Sequence, residues 1–332
     1  MDNNIIIRCD ATKSIGLGHA VRCISLATDL KNFGFEVIFL MSHNSKIGIQ
    51  KVKDSNHRVK ILDKNENRSV QILRFIREFN PQIFIIDLKS CFPINIIKKI
   101  EAMKIFTVAI DSNRRHASYC DLCFYPPHAQ IKRHSLNGKI YQGIEYTLIR
   151  SEFHDHAPQK QSDLRKIPNI IVMLGGTDPN NMSYEVASYI LSKVGNSIRL
   201  YLNRNHISRS NRKKLEIQKN IEYYDHKTSI SKSLNKIDLS VISFGVTAYE
   251  MLLKNVPSIH LCFNEQDKIS SLWFSKQRYA STLMIDELNS MEINYSNYDF
   301  GQIIFPKVKV AEAIIEHCTS NKIQKVDKCV ST

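Results

Sequence analysis

Asp10-Ala11-Thr12-Lys13-Ser14-Ile15-Gly16-Leu17-Gly18-His19 is the stretch whose reading decides the fold. Ile5–Cys9 before it is a short apolar, β-branched run, and Ala20–Phe33 after it carries Ile24, Leu26, Ala27 and Leu30 at helical spacing. Strand, glycine-bearing loop and helix in that order make the first unit of a parallel, doubly wound sheet. Gly16 and Gly18 let the backbone approach a ligand closely, and a helix start favours negative charge. With His19 opening the helix, Arg22 and Cys23 fall one turn further along the same face, which pairs a titratable base with a permanent cation. The loop departs from the dinucleotide fingerprint, because Ala20 and Val21 stand where its last glycine is needed. Taken alone, the loop suits a histidine that merely caps the helix equally well.

The same pattern extends outward. Glu36–Met41, Ile83–Asp87 and Phe106–Asp111 read as further strands of the first half. From Ser151 to Pro168 the chain turns polar, through His154, Asp155, His156, Gln159 and Lys160, as a linker does. A second series follows in Asn169–Leu174, Ile198–Leu202, Leu239–Ser243 and Ser258–Cys262. The expected fold class is therefore α/β, with two Rossmann-like domains over residues 1–155 and 166–320, a size suited to 332 residues. Two such domains facing each other are expected to take a ligand in a cleft between them, at the carboxyl ends of their sheets.

Two loops of the second half match the first in kind. Gly175-Gly176-Thr177-Asp178-Pro179 follows an apolar strand and precedes a helical pattern, which suits close approach by a ligand or a plain Asp-Pro turn. Ser243-Phe244-Gly245-Val246-Thr247 leads into Ala248-Tyr249-Glu250-Met251-Leu252. Ser243, Gly245 and Thr247 can offer hydroxyl and backbone N–H donors at a helix start, as a diphosphate requires. Glu250, early in that helix, suits either the two hydroxyls of a ribose or a simple balance of the helix dipole.

Composition narrows the function classes. No apolar run approaches the roughly 20 residues of a membrane helix, and the first residues lack a secretory pattern, so a soluble cytoplasmic protein is expected. The net charge of +14 is spread: residues 1–160 hold 24 Lys and Arg against 15 Asp and Glu, the remainder 22 against 17. Its densest cluster, Arg204, Arg209, Arg212, Lys213 and Lys214, has no interleaved aromatics and reads as a solvated face, not a nucleic-acid site. A basic surface also suits an anionic substrate or peripheral contact with an acidic membrane. Eight scattered cysteines fit reduced thiols. Cys120 and Cys123, even with His116 and His128 nearby, read as small residues around a buried strand rather than as zinc ligands.

Taken together, Arg8-Cys9-Asp10-Ala11, Ile15-Gly16-Leu17-Gly18-His19 and Arg22-Cys23 resemble the opening of the UDP-2,4-diacetamido-2,4,6-trideoxy-β-L-altropyranose hydrolases of pseudaminic acid biosynthesis. Gly143, Tyr146, Leu148-Ile149-Arg150 and Glu152-Phe153 are similar to that family's segment closing the first domain. Gly175 to Pro179, Gly245 to Glu250 and Pro257 are similar to its second domain, in motifs shared with two-domain glycosyltransferases such as the lipid II N-acetylglucosaminyltransferases. The resemblance implies a glycosyltransferase-B architecture, UDP held mainly on the second domain, and water attacking the anomeric carbon. The residue matching His19 would position or deprotonate that water, with no metal or cofactor. Substrate contacts are expected at Asp10, Gly16, Gly18, Arg22, Lys89, Gly175, Gly176, Thr177, Ser243, Gly245, Thr247, Glu250, Asn264 and Gln266.

Three positions depart from the family. Lys89 stands where an aromatic hydroxyl is usual, Ser112 where a second acid follows Asp111, and Asn264-Glu265-Gln266 where an Asn-Gln pair is usual. Two other readings compete with a UDP-sugar hydrolase. One is a transferase, in which an acceptor hydroxyl replaces water. The other is a silent nucleotide-sugar or polyanion binder, against which the intact His19 argues. Oligomeric state is left open.

Overall fold

The computed structural model describes residues 3–131, 137–154, 167–215, 218, 220–224, 230–293, 298 and 309–330. Two compact units divide the chain: one runs to Leu148 and takes in the last helix, and the other begins at Ile149.

The first unit alternates β1 (Asn4–Cys9), α1 (Gly18–Asn32), β2 (Glu36–Ser42), α2 (Lys46–Asp54), β3 (Arg58–Leu62), α3 (Arg68–Phe79), β4 (Ile83–Asp87), α4 (Ile94–Ala102) and β5 (Phe106–Ile110) before β6 (Leu122–Tyr125) and β7 (Lys139–Gln142). All seven strands are parallel, in the order β3-β2-β1-β4-β5-β6-β7. Helices cover both faces of such a sheet, so its inner strands are buried along their whole length and read as unbroken apolar runs. Alternate residues then supply two separate core layers. Ile5, Ile7 and Cys9 pack with Cys23, Leu26 and Leu30 of α1. Ile6, between them, faces Ile72 and Ile76 of α3 and Ile97 and Ile100 of α4.

The second unit repeats the plan with β8 (Asn169–Met173), α5 (Ser183–Val194), β9 (Arg199–Asn203), α6 (Arg209–Leu215), β10 (Ile221–Tyr224), α7 (Ile230–Ser233), β11 (Leu239–Ser243), α8 (Val246–Leu253), β12 (Ser258–Cys262), α9 (Glu265–Lys276) and β13 (Ala280–Met284). Its six strands are parallel in the order β10-β9-β8-β11-β12-β13. Both sheets therefore reverse their winding beside their first strand, between β1 and β4 and between β8 and β11. At such a point the crossovers leave to opposite faces and open a crevice at the carboxyl ends of the strands.

The last helix, α10 (Lys309–Val330), begins inside the expected second domain, 166–320, but clusters with the first unit. The reason is its apolar stripe: Val310, Ala311, Ile314 and Cys318 are buried in the α1 layer of the first unit's core. Tyr141 adds a hydrogen-bonding contact, its hydroxyl 2.7 Å from His317 Nε2. Most of the polar linker, residues 155–166, falls outside the described residues.

Candidate functional site

At the β1/β4 switch point the first loop closes as a turn. Gly16 N–H donates to Thr12 O (2.8 Å) and Ile15 N–H to Thr12 Oγ1 (3.2 Å). Gly16 takes φ +85°, a left-handed conformation that a side chain would strain. Helix α1 then starts at Gly18 with no side-chain cap and no acid among its own first-turn residues.

His19 and Arg22 converge on one carboxylate, Asp87, at the end of β4. His19 Nδ1 lies 2.6 Å from Asp87 Oδ1. Arg22 donates through Nε to Oδ2 (2.7 Å) and Nη2 to Oδ1 (2.6 Å), while its Nη1 reaches Asp111 Oδ2 (2.9 Å). Cys23 Sγ donates to Asp87 Oδ2 at 3.2 Å. Asp87 is fully buried. Burial alone would raise its pKa, but Arg22 and His19 outweigh this and hold the carboxyl well below the usual range. An ionised carboxylate only accepts, so the nitrogen facing it, Nδ1, carries a proton, and in the neutral imidazole the lone pair is on Nε2. The histidine side chain retains 19% exposure. This is a base whose tautomer is fixed by a buried acid, beside a cation held by two acids.

Asp10, expected to contact substrate, stands apart from that cluster. Its oxygens accept from Arg8 Nη2 (2.6 Å), Ser42 N (2.8 Å), Ser42 Oγ (3.0 Å) and Ser45 Oγ (2.8 Å). Asp10 instead ties the end of β1 to the end of β2. Lys89 sits on the loop after Asp87 with its side chain exposed, and its carbonyl accepts from Arg114 Nε (3.0 Å). Ser112, next to Asp111, is buried with Oγ 3.0 Å from His116 Nε2. His116 Nδ1 accepts from Phe92 N–H (3.1 Å), so its imidazole is spent on internal bonds. Cys120 and Cys123 donate to the backbone oxygens of His116 and Ala117.

The β8/β11 switch point of the second unit is built differently. Gly175 has φ +83°, and a Cβ there would sit 3.6 Å from Ser243 Oγ, which places the β8 and β11 loops side by side. Asp178 caps the helix between Met182 N (3.1 Å) and Ser183 N (2.9 Å), so the start of α5 is already neutralised by the protein. Gly176 O lies 3.3 Å from His206 Nε2. Helix α8 starts after Gly245 with no side-chain cap and no acid in its first turn. Ser243, Gly245 and Thr247 around it are all half-buried.

Glu250 is where sequence and structure differ most. It is 1% exposed, and Arg150 grips it with Nε to Oε1 (2.7 Å) and Nη2 to Oε2 (2.7 Å). Both oxygens thus already hold a charged partner, and the residue is too far into α8 to balance its dipole from the first turn. Asn264 is also spent, as the cap of α9: its Oδ1 accepts from Asp267 N (2.9 Å) and its Nδ2 donates to Asp267 Oδ2 (2.8 Å). Gln266 is exposed. In the basic cluster, Arg212 donates to the carbonyls of Arg204 (2.6 Å) and Ile207 (2.9 Å), whereas Arg209, Lys213 and Lys214 face solvent.

No protein-family model matches the chain. Among curated proteins it is similar to the uncharacterized protein MJ1062 of Methanocaldococcus jannaschii, 25% identical over 281 residues, covering 79% of this chain and 56% of that one. The chain thus spans little more than half of that relative. It is 23% identical to a UDP-2,4-diacetamido-2,4,6-trideoxy-beta-L-altropyranose hydrolase of Campylobacter jejuni, covering 83% of this chain and 97% of that one. Against the spore coat polysaccharide biosynthesis protein SpsG of Bacillus subtilis it is 22% identical, over 82% of this chain and 81% of that one. Two solved structures share the fold. MurG of Acinetobacter baumannii gives a TM-score of 0.59 at 12% identity, covering 86% of this chain and 89% of its own. The spinosyn rhamnosyltransferase SpnG complexed with thymidine diphosphate gives 0.60 at 8% identity, covering 94% and 92%. The fold is therefore that of two-domain, glycosyltransferase-B-like proteins, with a parallel α/β sheet in each domain.

Proposed function

We propose that the chain is an enzyme of nucleotide-sugar metabolism that hydrolyses a UDP-activated amino or deoxy sugar, with His19 as its base. The observation that carries the reading is the bond from His19 Nδ1 to buried Asp87, which leaves Nε2 as proton acceptor. Water attacks the anomeric carbon as its proton passes to His19 Nε2. The bond from that carbon to the diphosphate oxygen breaks, and UDP departs with the electron pair. Asp87 keeps the imidazole oriented and balances the charge that forms on it, as a buried acid behind a catalytic histidine does. UDP is assigned to the second unit, its diphosphate at the uncapped start of α8 with Gly175, Gly176, Thr177, Ser243, Gly245 and Thr247 around it. Glu250 serves there through Arg150, by fixing α8, rather than as an open ribose acceptor. Similarity to the Campylobacter hydrolase along nearly the whole of that protein supports the reading, and a role in surface-polysaccharide or nonulosonic acid assembly agrees with the similarity to SpsG.

A transferase is the second reading, favoured by the fold shared with MurG and SpnG. There an acceptor hydroxyl replaces water and gives its proton to the same nitrogen. The test is to incubate the protein with a panel of UDP-sugars, with and without acceptor lipids or sugars, and follow UDP. Release without acceptor supports hydrolysis; release only with one supports transfer. No release under either condition overturns both.

A further inference from the structure

The loop after β6 brings a second imidazole to the edge that carries His19. Ala129 N–H donates to Pro126 O (3.1 Å), closing a turn over Pro126-Pro127-His128-Ala129. From β7, Gln142 Nε2 donates to Pro127 O (3.4 Å) and Ala129 O (2.8 Å), so the carbonyls on both sides of His128 are held. The two prolines narrow the backbone further. This turn is also fastened to the loop after β5. Asp111 N–H donates to Phe124 O (2.8 Å), and Tyr125 Oη donates to Ser112 O (2.8 Å). Asp111 itself is bent into φ +47°, left-handed for a residue with a side chain, while its carboxylate bonds Arg22.

His128 is half-buried and within electrostatic reach of Asp111 and Arg22. Burial lowers its pKa; Asp111 opposes this and Arg22 adds to it, so the imidazole stays neutral near pH 7. A neutral imidazole offers one donor and one acceptor. Asp87, Asp111 and His128 end or follow adjacent strands β4, β5 and β6, so two strand spacings, about 10 Å, separate the first and last of the three along the edge that carries His19.

We infer that His128 is a substrate-contacting residue that hydrogen-bonds a hydroxyl or acylamino group of the sugar carried by the nucleotide. The inference rests on the proposed function, because it takes the anomeric carbon to lie at His19. It assigns specificity to a rigid turn in the first unit, separate from nucleotide binding in the second.

The test compares His128→Ala and His128→Gln with the wild type, in the full chain, on the UDP-sugar released fastest. His128→Ala is expected to lose about tenfold in kcat/KM, the scale of one hydrogen bond left unmade, with UDP affinity within about twofold. His128→Gln, which keeps a donor and an acceptor, recovers part of the loss. Unchanged kcat/KM in both variants, or an equal loss of UDP affinity, overturns the inference while leaving the proposed function standing. If the wild type releases UDP from nothing, the proposed function falls, and ¹⁵N-histidine spectra decide the inference separately. Movement of the His128 signal by UDP-N-acetylglucosamine and not by UDP supports it, and no movement overturns it.

Discussion

The two switch points occupy the same place in two like-wound sheets, yet they are furnished in opposite ways. In the first unit the strand ends present charge: Asp87 and Asp111 hold Arg22, and Asp87 holds His19. In the second, the corresponding loops present glycine, serine and an uncapped helix start, while the one carboxylate in the β8 loop, Asp178, is turned inward to cap α5. A site for moving protons needs titratable side chains held in fixed relation, whereas a site for an anion needs backbone N–H groups with no competing charge. One topology thus supports both, and the loop residues decide which.

Acid should open the largest gap between the units. His57 and His116 in the first are held to a pKa of about 4, and His260 in the second to about 3, burial being the main cause in each. These values lie below the ordinary 6.5, so the unfolded chain binds protons more readily and stability is complete only above that pH. It falls progressively as pH drops from 6.5 toward 4, because each such histidine takes up a proton more readily in the unfolded chain. Asp87, held low, adds a loss only below its ordinary 3.8. Urea midpoints measured from pH 7 to pH 4 should decline steadily; a flat profile would contradict the buried neutral imidazoles.

Asp87→Asn attacks the first switch point directly. It leaves Arg22, whose side chain is 12% exposed, with Asp111 as its one remaining acid, and the loss should be up to about 3–5 kcal/mol of stability. Turnover should fall by about 10²–10⁴-fold, because the amide no longer fixes the His19 tautomer. Glu250→Gln makes the matching change in the second unit. Arg150 is 30% exposed and can turn to water, so about 1–3 kcal/mol is expected, together with weaker UDP binding and little change in kcat. Equal effects of the two substitutions on kcat would erase the division between the units. Lys89→Tyr should have the smallest effect: its exposed side chain predicts unchanged stability, and any shift in kcat/KM between UDP-sugars would place it against the sugar.

The alternation of strand and helix was legible because inner parallel strands are apolar throughout. Ile5–Cys9, Ile83–Asp87, Leu239–Ser243 and Ser258–Cys262 were all readable within a residue of their observed bounds. The strands with no readable signal, β3, β7, β10 and β13, are the sheet edges, half wetted and short. Arg58 and Lys60 in β3 break any apolar pattern. His19 and Arg22 could be picked out because they share a helix turn. Their partner Asp87 is 68 residues from His19, and Arg150 is 100 from Glu250, distances that no local pattern spans. One signal was present: Asp87 ends Ile83-Phe84-Ile85-Ile86, and an acid closing so apolar a strand requires a cation. Helix α10 was misplaced because its buried stripe says only that it packs, not on which unit.

The most direct measurement of the central claim is to pair UDP release with UDP binding in His19→Ala. Because the base acts only in the chemical step, release from the preferred UDP-sugar should fall by about 10²–10⁴-fold, while the UDP dissociation constant measured by calorimetry stays within about twofold of the wild type. Release at near wild-type rates, or a loss of UDP affinity as large as the loss of rate, would contradict the assignment of chemistry to the first unit and nucleotide binding to the second.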